Sequence, residues 1–128
     1  MRFFGPARLA RAIGRHGERL SLMEADWKKF RGMVPRLRER YLADCNARIS
    51  AMLADPKKNE TERFWDAMEE MEKEARVLQQ CLDDQSRSKM WLFVLTMIRA
   101  GMLKREDMAE FSEELQKKVS YAFEERGG

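Results

Sequence analysis

Met90-Trp91-Leu92-Phe93-Val94-Leu95-Thr96-Met97-Ile98 is the one long apolar run in this chain of 128 residues. Thr96 alone interrupts it, and a threonine hydroxyl bonds readily to a carbonyl one turn earlier. On a helix these side chains point in every direction. A helix apolar all round has to be surrounded. Nine residues are far too few to span a bilayer, which takes about 20. The run therefore predicts a buried helix, and the flanking segments are its natural wall.

Those segments repeat at helical spacing. Before the run, Phe64, Met68, Met71, Ala75, Leu78 and Leu82 recur at steps of four, three, four, three and four. This is a strict heptad seam, too short for an isolated coiled coil but suited to packing against a neighbouring helix. It predicts a helix from about residue 60 to 82. Asn59 followed by Glu62 resembles a capping box at its start. Further back, Trp27, Phe30, Val34, Leu37 and Tyr41 form a second seam, continued by Cys45, Ile49 and Met52 at a stutter. That helix is expected over residues 18–53. Pro35 sits inside it and predicts a kink or short break, because proline removes one hydrogen bond and crowds the carbonyl four residues back.

After the run, Gly101 is placed for a left-handed cap. A last helix is expected from about Lys104 to Phe123, with Met108, Phe111, Leu115 and Val119 facing inward. Asp83 to Ser88 is polar and predicts a break between the second helix and the apolar run, the alternative being one continuous helix through both. At the other end, Phe3 to Gly17 predicts a short basic helix, with Phe3, Phe4, Leu9 and Ile13 along one edge and Gly14 and Gly17 loosening its end. The expected architecture is all-α: one domain of four or five helices around Met90 to Ile98. Its parts are a basic N-terminal arm over 1–17, a helical bundle over 18–124 and a flexible tail over 125–128.

Charge is unevenly placed. Residues 1–53 hold twelve Lys and Arg against five Asp and Glu, and the rest of the chain holds thirteen against seventeen. The split has two readings. The basic half could meet an anionic partner through Arg8, Arg11, Arg15, Lys28, Lys29, Arg31, Arg36, Arg38 and Arg40. Alternatively the two halves attract each other, within one chain or between copies. The second reading leads, since basic solvated faces are common and most bind nothing specific.

The inventory for catalysis is thin. His16 is the sole histidine, and the two cysteines, Cys45 and Cys81, lack the close spacing of a metal or redox motif. No Glu-x-x-His pair suits a di-iron bundle. No nucleophile motif surrounds the serines. Carboxylate pairs such as Glu69/Glu70 and Glu113/Glu114 fit the wet faces of helices. No catalytic residue, metal ligand or cofactor site is expected. A helix-turn-helix across Gly101 is disfavoured, because its second helix would carry Glu106, Asp107, Glu110, Glu113 and Glu114 towards phosphates. The final Gly-Gly resembles a ubiquitin-like ending, but that ending follows a β-grasp fold, and no strand is expected here.

The functional expectation is a non-enzymatic, cytoplasmic interaction or regulatory protein that self-associates as a homodimer. The interface candidates are Trp27, Phe30, Val34, Leu37 and Tyr41 on one seam and Phe64, Met68, Met71 and Leu78 on the other. Nucleic-acid binding through the basic half is the alternative. A peripheral membrane role for the arm ranks third, since four apolar residues on so short a helix bind membranes weakly.

Overall fold

The computed structural model describes the backbone of residues 6–126, with the exposure of Gly17 and the side chains of residues 21–126. Phe3 and Phe4, the side chains of Arg8, Arg11, Arg15 and His16, and the final Gly-Gly lie outside the described residues. The described chain is all-helical, with no strand. Five α-helices follow one another: α1 (Pro6–Leu53), α2 (Glu60–Leu82), α3 (Met90–Ala100), α4 (Glu113–Val119) and α5 (Tyr121–Glu125). Two short 3₁₀ turns, Arg87–Lys89 and Arg105–Glu110, precede α3 and α4.

α1 corrects two expectations. The helix does not stop near Gly14 or Gly17, so the basic arm is its first part and not a separate element. At Pro35, where a kink or short break was expected, the helix is not broken. An interior proline costs about 3 kcal/mol, but Pro35 is exposed, so the carbonyl it deprives of a partner can turn to water. Phe30, Met33 and Leu37 are buried on either side of it. Their burial, roughly 1.5–3 kcal/mol each, holds the helix in phase across the defect. The expected seam faces inward along the whole stretch: Phe30, Leu37, Cys45 and Ile49 are buried, and Trp27, Val34 and Tyr41 are half-buried.

α2 begins with the expected capping box. Asn59 accepts from the Glu62 amide at 2.8 Å, and the Glu62 carboxylate accepts from the Asn59 amide at 3.2 Å. A connection of six residues folds α2 back antiparallel along α1. Arg48 on α1 meets Glu70, and Tyr41 meets Glu74, so residue numbers rise on one helix as they fall on the other. α2 ends at Asp83, as the polar stretch suggested, and Asp84 takes a left-handed turn at φ 59°.

α3 carries the apolar run. Met90, Val94, Leu95, Met97 and Ile98 are buried against α2, α4 and α5. Enclosure is incomplete: Leu92 is 43% exposed, and Trp91 and Phe93 are half-buried. Thr96 donates its hydroxyl to the Leu92 carbonyl at 2.9 Å, the expected back-bond. Gly101 ends α3 at φ 79°, and Met102 returns its amide to the Met97 carbonyl at 2.9 Å. This closes the helix end in the manner glycine permits.

The C-terminal segment is not the single helix expected. It is a 3₁₀ turn, an extended residue at Phe111, and two short helices. Two buried carboxylates explain the division. Asp107 accepts from the Lys104 amide at 2.8 Å and is held by arginines of α1. Asp26 of α1 accepts from the Ser112 amide at 2.8 Å and its hydroxyl at 2.6 Å. Ser112 then caps α4 by accepting from the Leu115 amide at 3.2 Å. Asp26 takes the Ser112 amide that a continuous helix would have used itself, and Asp107 caps the turn that begins at Lys104. Met108, Phe111, Leu115 and Val119 still face inward and are buried. Glu125 and Arg126, expected in a flexible tail, are tied to α3: Glu125 accepts from Arg99 at 3.2 Å and Arg126 donates to the Arg99 carbonyl.

Candidate functional site

The heptad seam of α2 is where sequence and structure part. Ala67, Glu74 and Cys81 are the residues that face α1 and are buried. Each sits one position beside the seam, about 100° round the helix. The seam itself is left along the edge. Phe64 and Met71 are each 52% exposed, and Trp65 beside them is 62% exposed. Met68, Leu78 and Leu82 are half-buried, and Ala75 is exposed. The Phe64 and Trp65 rings meet edge to face, with centroids 5.0 Å apart. The result is an apolar strip on the outside of the hairpin, flanked by the exposed carboxylates of Glu62, Glu69 and Glu72.

A buried polar cluster accounts for the rotation. Glu74 is turned into the α1–α2 interface, where Tyr41 donates its hydroxyl to it. The Cys45 thiol donates to the same oxygen at 3.4 Å, and Arg48 lies 3.4 Å from the other. Arg48 also donates to Glu70 at 3.1 Å. Removing any one partner would leave a buried carboxylate under-satisfied, which costs far more than a mediocre apolar contact. Burial, reinforced by Glu74, pushes the Tyr41 hydroxyl well above its usual range and the Cys45 thiol upward as well. Cys81 is pushed up to about 11 by burial alone. Both cysteines are free and buried.

The basic face of α1 divides in two. Arg36 and Arg40 turn towards the acidic half of the chain. Arg40 donates to both oxygens of Asp107, at 3.2 and 2.6 Å, and to the Met102 carbonyl at 3.0 Å. Arg36 donates to Asp107 and to Glu110, each at 3.2 Å. Burial raises the Asp107 carboxyl, but the arginines and the Lys104 amide outweigh it and leave it below the ordinary carboxylate range. Asp107 in turn raises Arg40. Lys28, Lys29, Arg31 and Arg38 stay exposed, with Arg31 lying 5.8 Å from the Trp27 ring centre. Lys28, Lys29 and Arg36 share an open groove of about 620 Å³ with Glu106, Asp107 and Glu110, so its walls carry both signs.

Of the residues singled out for an interface, Phe30 and Leu37 are spent inside the chain. Trp27, Val34, Tyr41, Met68 and Leu78 are partly covered, and Phe64 and Met71 are open. The buried acids Asp26, Glu74 and Asp107 were not foreseen, and nothing in their spacing distinguishes them from solvent-facing acids on the same helices. No group of three or more potential metal-ligating side chains comes together among the described residues. No described helix is long and apolar enough to cross a membrane. Compared with family models, curated proteins and solved structures, the chain matches none.

Proposed function

We propose that this chain is a non-enzymatic helical interaction protein that acts as a homodimer in the cytoplasm, with the outer strip of α2 as its contact surface. The observation that carries this reading is the exposure of Phe64, Trp65 and Met71 side by side on a helix whose seam is regular enough to pack. Exposed apolar patches of this kind mark contact surfaces, and closed two-fold dimers are the commonest oligomers. α3 is then the centre of a bundle of four to five helices, supported by the burial of Val94, Leu95, Met97 and Ile98. The intramolecular pairing of Arg36 and Arg40 with Asp107 favours this reading over nucleic-acid binding, because it occupies two of the arginines that phosphates would need.

The test is the mass of the full chain by light scattering across micromolar concentrations. Wild type should dimerise, and Met71→Glu or Phe64→Glu should be monomeric with unchanged helicity. A monomer mass for wild type at every concentration would sink the proposal.

A further inference from the structure

We infer that the α2 strip is covered by the N-terminal arm of a second copy, so that two chains exchange arms in an antiparallel pair; this rests on the self-association proposed above and names what fills the contact surface.

Three observations converge on that occupant. The first is reach. α1 is one helix from Pro6, yet Asp26 is the first buried side chain described on it. Twenty helical residues precede Asp26, about 30 Å of helix at 1.5 Å per residue. Gly17 and Ser21 to Ala25, described within that length, are all exposed.

The second is placement. The strip begins at Phe64, and α2 runs antiparallel to α1, with Glu70 beside Arg48 and Glu74 beside Cys45. The strip thus lies level with the C-terminal end of α1. Ile13 is about 50 Å away from Arg48 along the same helix. An unbroken helix cannot fold back over that distance, so a chain cannot cover its own strip with its own arm. A second α1 running the opposite way brings each arm to the other chain's strip.

The third is complementarity. In the arm, Leu9, Ile13 and Leu20 recur at steps of four and seven, covering twelve residues. Phe64, Met68, Met71 and Ala75 also cover twelve. At 100° per residue, Arg8, Arg15 and Arg19 fall on one flank of the arm's apolar line. Glu62, Glu69 and Glu72, with exposed Arg76 among them, fall on the opposite-handed flank of the strip and leave it net acidic, the other flank being closed by α1. In two parallel helices packed face to face, opposite-handed flanks adjoin, as in the charge pairing of parallel coiled coils. The antiparallel α1 pair makes the arm parallel to the partner's α2, so the basic flank meets the acidic one.

Charge reversal in the full-length chain tests this. Arm variant A carries Arg8→Glu, Arg15→Glu and Arg19→Glu. Strip variant B carries Glu62→Arg, Glu69→Arg and Glu72→Arg. Each alone should dimerise at least tenfold more weakly than wild type at low salt. An equimolar mixture of A and B should restore a heterodimer, because acidic arms then meet basic strips and basic arms meet acidic ones. Leu9→Asp with Ile13→Asp should also weaken dimerisation, with circular dichroism confirming the fold. If arm variants dimerise like wild type while Met71→Glu does not, the strips pair with each other; the arm exchange is then wrong and the contact surface stands. A wild type that is monomeric throughout removes both.

Discussion

The three arginines of α1 that look equivalent in sequence should differ sharply when each is changed to glutamine. Arg40 is 29% exposed and holds Asp107, whose side chain is only 3% exposed. Arg40→Gln leaves that carboxylate in place with the Lys104 amide and one contact from Arg36. Breaking a fully buried ion pair costs about 3–5 kcal/mol. The remaining donors and the partial hydration of this site reduce the expected loss to about 2–3 kcal/mol. Arg36 is 51% exposed, and its contacts to Asp107 and Glu110 are single bonds at 3.2 Å. Solvent screening limits Arg36→Gln to about 0.5–1 kcal/mol. Arg38 is exposed with no ion pair described, so Arg38→Gln should stay within about 0.5 kcal/mol. Urea denaturation at 25 °C, with a common slope, resolves these steps. Acid supplies a second check. The Asp107 carboxyl is depressed in the folded state, so its contribution is complete above the ordinary carboxylate value near 3.9. It is lost as pH falls through the lower folded value. The gap between wild type and Arg40→Gln should therefore close in strong acid. Equal losses for the three variants, or Arg38 leading, would refute the assignment of Asp107 as their discriminating partner.

Leu95 is buried and Leu92 is open on the same helix, so Leu95→Ala should lose about 2–5 kcal/mol and Leu92→Ala about 1 kcal/mol or less by the same urea assay. Gly101→Ala should lower the melting temperature, since alanine is strained at φ 79° and its Cβ would stand 3.0 Å from the Arg126 guanidinium. Cys81, fully buried with its thiol raised to about 11, should react with a thiol reagent at neutral pH only at the rate of unfolding, and the reaction should accelerate in parallel with added urea.

Periodicity made much of this fold legible. The inward line of α1, the cap at Asn59, the stop at Asp83 and the turn at Gly101 all follow from local rules that one segment obeys by itself. What escaped were decisions made between segments. Gly14 and Gly17 look like a helix end and Pro35 like a kink or short break when each is weighed alone, and α1 runs on without a break at any of them. Met108 to Val119 reads as one amphipathic helix, because its apolar spacing suits both a helix and the folded-back turns that form. The difference lies in Asp26, which claims the Ser112 amide 86 residues away, and in Asp107, which is tied to the Arg40 guanidinium 67 residues away. A carboxylate that ends up buried is indistinguishable in sequence from one that stays wet.

α2 shows the same limit with a larger consequence. Two lines on this helix could face α1. The seam of Phe64, Met68, Met71, Ala75 and Leu78 is the more apolar, and periodicity selects it. The line of Ala67, Glu74 and Cys81 is less apolar, but Glu74 reaches Tyr41, Cys45 and Arg48, whose donors all stand on one face of α1. Turning the seam inward would bury more hydrocarbon within the chain and strand Tyr41 and Cys45 without their acceptor. With the polar cluster satisfied internally, the apolar surface that remains is presented outward in a regular line. Glu74→Leu separates the two demands. Freed of the carboxylate, α2 should roll towards its seam, protect Phe64 and Met71, and weaken self-association. Hydrogen exchange and light scattering on that variant should move together. Dimerisation retained at wild-type strength, with Trp65 fluorescence unchanged, would show that Glu74 does not hold the strip open.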